Sequence, residues 1–558
     1  MTPTSSKFFA TIASSLLLVG CGAPTIVSTP IENIDAIPLK NIDPTETQLK
    51  GWNSLDLVSD TIPGMSVNKA YNELLKNKKG QTVIVGVIDS GVDIEHEDLD
   101  GVIWTNQKEI KGNNKDDDNN GYVDDIHGWN FLGDSKDENL EYVRIIKKLK
   151  PKYVGKTLAS VEDTDRDEYQ KYIEAKAEYE KEYQENSTQK LQYEQILHQS
   201  EMSHKAIVDA IGKENYSRAE LLNVEAKTQE MQQHVAFLAQ MFGFMEPGDT
   251  IPDFIKNIKE GVDHFAEQLN YNLNLEFDGR TVVGDNVDDI TDKKYGNNNV
   301  MGPDPKKDGI KHGTHVAGII AAERNNGIGM NGVAHNVKIM AIRAVPNGDE
   351  YDKDIALALR YAVDNGAKVI NTSFGKYYST HPEWVREAIS YAASKDVLIV
   401  NAAGNEGADL DKKTVYPNDQ IDNGAEIADN FITIGALNYT YGSSLVADFS
   451  NYGKTNVDAF APGVQIWSTT PNNSYEFLQG TSMAAPGVAG VAALIRSYYP
   501  KLKASQVKKI LMDSGLNTKA SVVIGGEQTN VGSFSSLSKS GKMVNLYNAL
   551  IMADKLSK

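Results

Sequence analysis

The run Val83-Ile84-Val85-Gly86-Val87-Ile88-Asp89-Ser90-Gly91 decides how the rest of the chain is read. Its apolar stretch is continuous instead of alternating, and β-branched residues dominate it. That pattern predicts a strand buried on both faces, the kind found in parallel sheets covered by helices. The run ends in Asp89 followed by Ser90-Gly91, so a carboxylate is expected at the carboxyl end of the strand, where sites in such sheets gather.

Working outward, strands and helices alternate from His312 to the C-terminal third. Val337 to Val345, Val369 to Thr372, Val397 to Ala403 and Phe431 to Ala436 read as strands. Asp354 to Asn365, Trp384 to Lys395, Ala484 to Tyr498 and Ala504 to Met512 read as helices, and an earlier one is expected around Val67 to Lys76. The fold class is therefore α/β, a mainly parallel sheet with helices on both faces.

Two more segments stand out for their chemistry. Lys311-His312-Gly313-Thr314-His315-Val316-Ala317-Gly318 opens an apolar helix with an imidazole, and Gly480-Thr481-Ser482-Met483-Ala484-Ala485-Pro486 opens another with a hydroxyl. Pro486 is tolerable only near the start of that helix. A serine hydroxyl is a poor nucleophile until a histidine takes its proton, and a carboxylate fixes the imidazole's tautomer and steadies its charged form. Each segment alone has an ordinary structural explanation. Together, in the order Asp89, His312, Ser482, they point to nucleophilic catalysis.

On these motifs the chain resembles the subtilisin-like serine peptidases, whose triad runs Asp, His, Ser along the sequence. The resemblance covers about residues 52 to 130 and 300 to 515. It implies an endopeptidase acting on polypeptide substrates through an acyl-enzyme, with no cofactor for catalysis. Ala402-Ala403-Gly404-Asn405-Glu406-Gly407 resembles the family's oxyanion segment, which implies that Asn405 and the Ser482 N–H stabilise the oxyanion. Ser373-Phe374-Gly375 resembles the edge that pairs with the substrate backbone. His315, one turn beyond His312, is expected to be structural, because no acidic residue lies at a matching metal-ligand spacing. A catalytically silent binding protein on the same fold is the rival reading, which the intact set of four argues against.

The chain departs from that pattern between Asp89 and His312, which 222 residues separate. No proline occurs from Lys152 to Glu246, and Glu, Lys, Gln and Tyr dominate there. Tyr169, Tyr172, Tyr179, Tyr183, Tyr193 and Leu197 share a helical stripe, so two or more long helices are expected within an insertion over 136–299. It divides the catalytic domain into 52–135 and 300–558, and is a spacer, a partial lid or a partner surface. Within the first part, Asp116, Asp118 and Asn120 with Gly121 resemble the first half of an EF-hand-like calcium loop. The bidentate Glu is missing, since His127 holds the twelfth position, and Asp124 or Asp125 would have to close the site. A second acidic stretch, Asp285 to Asp292, is a weaker candidate.

The N-terminus and the bulk composition place the molecule. Lys7 and the thirteen-residue, mainly apolar run Phe8 to Gly20 make a signal segment too short to span a bilayer comfortably. It ends in Leu18-Val19-Gly20-Cys21, which resembles the lipobox of bacterial lipoproteins, and Cys21 is the chain's only cysteine. Residues 1–20 are read as a lipoprotein signal peptide, Cys21 as the lipid anchor to a membrane, and 21–51 as a tether. The expected location is the cell envelope, on the periplasmic side or the cell surface. A formal net charge of −20 argues against nucleic acid as a partner.

Overall fold

The computed structural model describes residues 28–37, 43–76, 78–245, 248–421 and 423–558. The signal segment and Cys21 lie outside the described residues.

Val83–Asp89 forms β1, buried along its length. Its neighbours are β3 (Val337–Arg343) and β4 (Val369–Thr372), both parallel to it; β2 (Gly128–Asn130) lies beyond β3. β5 (Leu398–Ala402), β6 (Phe431–Leu437) and β7 (Ala459–Pro462) continue the parallel sheet beyond β4. A hairpin of β8 (Ile466–Thr470) and β9 (Ser474–Leu478) stands apart, as does one of β11 (Ser521–Ile524) and β12 (Glu527–Ser533). Two short strands, β10 (Leu516–Asn517) and β13 (Lys542–Met543), close the far edge, giving the order β10-β13-β7-β6-β5-β4-β1-β3-β2. β10 is the one antiparallel member. The chain winds to either side of β1, so Asp89 sits at the point where strand order reverses, the usual place for a site in an open α/β sheet.

The period of two along β1 divides its side chains between two cores. Val83, Val85 and Val87 join the core shared with helices Lys311–Ala321 and Thr481–Tyr498. Ile88 joins the opposite core, shared with helices Asp352–Asp364 and Pro382–Ser394. Burying each such side chain stabilises the fold by about 1.5–3 kcal/mol. The helices carrying His312 and Ser482 thus lie on the same face, with their N-termini toward the carboxyl ends of the strands.

The insertion differs in detail from its expected form. It holds one helix of 46 residues, Arg166–Ile211, about 69 Å long at 1.5 Å per residue. Helices Gln229–Met241 and Ile251–Glu267 return beside it. The tyrosine stripe packs only in part. Tyr169 packs edge-on and Tyr172 tilted against Tyr153, at 5.4 and 5.9 Å, in a core at the base, and a second small core around Ile207, Leu221 and Leu238 holds the far end. Asp285 is neutralised by Arg280 and Lys353, and Asp288 pairs with Lys148 at 2.8 Å, so the second acidic stretch is tied into ion pairs.

The tether reading also needs correction where its residues are described. Ile34 is 1% exposed, and Asn548 clamps Ile31 through both backbone groups, at 2.7 and 2.9 Å. Asp35 accepts from Thr518 Oγ1 at 2.8 Å. Each isoleucine docks singly, so no periodicity announces the contact. Among the described residues, no helix is long and apolar enough to cross a membrane.

Candidate active site

Asp89 is 1% exposed at the end of β1, and its Oδ1 accepts from the Ser90 N–H at 2.7 Å. The same oxygen takes a hydrogen bond from His312 Nδ1 at 2.8 Å. This approach requires Gly313: a Cβ there would lie 2.1 Å from the Gly91 carbonyl oxygen and 3.1 Å from Asp89 Cβ. The β8–β9 hairpin braces the histidine helix. Ser468 Oγ donates to the His315 carbonyl at 2.7 Å and Thr469 Oγ1 to the Thr314 carbonyl at 2.8 Å. His315 itself is buried, with Nε2 at 3.1 Å from the Glu476 carbonyl and its pKa pushed down to about 3 by burial.

His312 has a wet edge, its side chain being 40% exposed. Burial disfavours its imidazolium, but the charge and hydrogen bond of Asp89 outweigh that, so its pKa is raised above 6.5. With Nδ1 committed to Asp89, Nε2 is the nitrogen left for chemistry. Ser482 stands at the start of its helix, half-buried, and its Oγ donates to the Ser373 carbonyl at 3.1 Å instead of to the imidazole. Ser373 Oγ returns a bond to the Ser482 carbonyl at 2.8 Å. Pro486 explains why that carbonyl is free, since four residues on it has no N–H to offer.

Asn405 follows β5 at the carboxyl end. Its Oδ1 accepts from Thr481 N at 2.9 Å and Thr481 Oγ1 at 3.0 Å, which identifies Nδ2 as the outward donor. A Cβ on Gly480 would lie 3.4 Å from Asn405 Nδ2 and 3.5 Å from Ser482 N, so both donors border one small space. Ser373, Phe374 and Gly375 leave β4 as an unpaired edge, and the next backbone pairing is Lys376 with Tyr416. A groove of about 840 Å³ passes Asp89, His312 and Ser373, and its far wall includes Glu267 and Tyr271 from the insertion. Spacing alone had no way to place those two.

The acidic loop brings together a carboxylate cluster that differs in part from the residues named in the sequence. Carboxylate oxygens of Asp116 and Asp118 converge with Glu109, all within 4.8 Å. Glu109 was missed, because it lies upstream of the recognisable run. Asp124 does not join them: its carboxylate accepts from Gly112 N at 2.9 Å and Asn114 N at 2.8 Å. The Asn120 side chain turns to Tyr122 N and Asp125. Gly121, at φ +100°, makes the turn that brings its N–H to Asp116 at 2.9 Å. A second oxygen-rich recess behind β5 has Asp419 Oδ2, Gln420 Oε1 and Asp458 Oδ1 buried without hydrogen-bond partners, with Lys508 Nζ 3.9 Å from Asp458 Oδ1.

The sequence profile of the subtilase family, Peptidase_S8, matches residues 80–533. A thermophilic serine proteinase of Bacillus sp. (strain AK1) is 42% identical over 241 residues, 43% of this chain and 51% of that protein. Subtilisin DY of Bacillus licheniformis is 38% identical over 234 residues, 42% of this chain and 80% of its own length. A cell wall-associated protease of Bacillus subtilis (strain 168) is 40% identical over 233 residues, but only 23% of it is covered. The match thus spans about half the length of the first of these relatives. With a profile match over well more than half of its residues, on a sheet that brings Asp89 and His312 into contact, the chain belongs to the subtilase family.

Proposed function

We propose that the protein is a serine endopeptidase that hydrolyses peptide bonds through an acyl-enzyme. The contact between Asp89 and His312 Nδ1 carries this reading, because it leaves Nε2 as the base and fixes the tautomer. In the proposed cycle Ser482 Oγ turns from the Ser373 carbonyl to His312 Nε2, gives up its proton and attacks the scissile carbonyl. Asn405 Nδ2 and Ser482 N hold the oxyanion. His312 then protonates the leaving amine, and water releases the acyl group by the same steps in reverse order. Ser373, Phe374 and Gly375 pair with the substrate backbone. The test is a fluorophosphonate mapped to a peptide. Label should fall on Ser482, and Ser482→Ala should lose both label and proteolysis while keeping its melting curve; label on another serine would refute the assignment.

The reading extends to placement and stability. The protein is held at the cell envelope by a lipid on Cys21, a proposal supported by the sequence around that lone cysteine. Fractionation of wild type and Cys21→Ala decides it: a wild type already in the soluble fraction rejects the anchor. A structural calcium ion is held by Glu109, Asp116 and Asp118, whose convergent carboxylates support the proposal.

A further inference from the structure

The insertion reaches the substrate-binding edge through a buried ion pair, beside the packing of Tyr142 on Tyr378 at 5.8 Å. The edge is fixed at its start by β4 and by the exchange between Ser373 and Ser482. Its end is fixed by Lys376, whose N–H donates to the Tyr416 carbonyl at 2.9 Å and whose carbonyl accepts from Tyr416 N at 2.8 Å. Lys376 is 3% exposed, and an ammonium buried to that degree needs counter-charge. Its Nζ donates to the Glu350 carbonyl at 2.7 Å and lies 3.1 Å from Asp352 Oδ1 and 3.1 Å from Glu141 Oε2.

The two carboxylates come from different parts of the chain. Asp352 belongs to the catalytic domain, and its Oδ2 accepts from Thr380 N at 3.0 Å and His381 N at 2.8 Å, so it also holds the segment beyond the edge. Glu141 belongs to the first helix of the insertion, Glu141–Tyr153, and is 1% exposed. Its N–H donates to Asp349 Oδ2 at 2.7 Å, and Arg144 Nε donates to its Oε2 at 3.1 Å. Burial disfavours its charge, yet Arg144 and Lys376 prevail and draw its pKa down to about 2. It is therefore ionised throughout neutral pH. If the insertion helix moves, Lys376 is left half-compensated directly behind the edge.

We propose that Glu141 is a positioning residue for the substrate-binding edge: acting through Lys376, it sets the backbone of residues 373–375 and so couples the insertion to the grip on an extended polypeptide. The inference rests on the protease reading above. A substrate that reaches only the nucleophile does not use the edge, whereas an extended peptide pairs with it. Loss of Glu141 should therefore be felt in binding and not in the chemical step.

The experiment uses the full chain as wild type, Glu141→Gln, Lys376→Met and the double variant. Each is assayed on an internally quenched extended peptide and on p-nitrophenyl acetate, with hydrogen exchange measured at residues 373–376. Both single variants should raise KM for the extended peptide about tenfold. Turnover of the ester and the rate of fluorophosphonate labelling should stay within about twofold. Exchange at the edge should quicken, and the double variant, which removes both members of the Glu141–Lys376 pair instead of stranding one against the other, should recover part of the loss. Unchanged KM, or equal losses on both substrates, would overturn the proposal and leave the pair a prop for the fold. If Lys376→Met fails to fold, Glu141→Gln decides alone. If wild type neither labels nor cleaves, it is the protease reading that fails, and the exchange of the edge in Glu141→Gln still decides the coupling.

Discussion

Proton traffic at His312 sets how the proposed enzyme responds to pH. The base must be neutral to accept the Ser482 proton, and Asp89 raises its pKa above 6.5 despite burial. kcat/KM should therefore fall as pH drops through a value above 6.5, since that profile reports the free enzyme. Asp89→Asn removes the charge that raises the pKa and leaves the burial that lowers it. The acid limb should then move below 6.5, with the maximum lower by a factor on the order of 10⁴, a magnitude borrowed from the same exchange in another triad protease. A limb that stays in place would detach it from His312. At this scale Asp89, His312, Asn405 and Ser482 stand out in the sequence because each sits in a short motif with small neighbours. Thr481, which anchors Asn405 through two bonds, does not, since its role is visible only once two loops 76 residues apart are brought together.

Among the elements, the acidic loop makes the clearest prediction. A cation that binds only the folded chain stabilises it by mass action, about 2.7 kcal/mol at a hundredfold excess over Kd. Chelation should lower the Tm by several degrees, and Asp118→Ala or Glu109→Gln should blunt that response. A response that survives both substitutions would put the cation elsewhere, with the recess of Asp419 and Asp458 the next place to mutate. No response at all would leave the loop held by its own hydrogen bonds, such as those from Asp117 N and Asp118 N to Glu109. The same contrast explains what was legible in the fold. The strands β1 and β3 to β6 announced themselves by continuous apolar runs. β10 and β13, two residues each, have no period to read and exist only by pairing, β13 with β7 and β10 with β13. Glu109 was hidden for a similar reason, because several residues of loop separate it from Asp116 and Asp118, on which it converges.

Over the whole molecule, the polar, proline-free tract correctly marked an insertion but not its shape, since a stripe of tyrosines looks alike on one long helix or on two. The helix Ile251–Glu267 ends at the groove, where Glu267 and Tyr271 form part of the wall. Asn272 Nδ2 pins this end by donating to the carbonyls of Glu138 at 2.8 Å and Asn347 at 2.9 Å. The long helix beyond it therefore projects from a base fixed beside the site. Replacing residues 154–265 by a short Gly/Ser linker removes that projection and keeps the helix carrying Glu141, Glu267 and Tyr271. If the insertion screens by size, cleavage of a folded protein should rise severalfold relative to cleavage of a small peptide amide, because only the bulky substrate meets the obstacle. Damage to the triad would slow both alike, so the ratio separates the two effects. An unchanged ratio rejects the screen and leaves the far end of the helix, with its own small core around Ile207 and Leu238, as a surface with some other role.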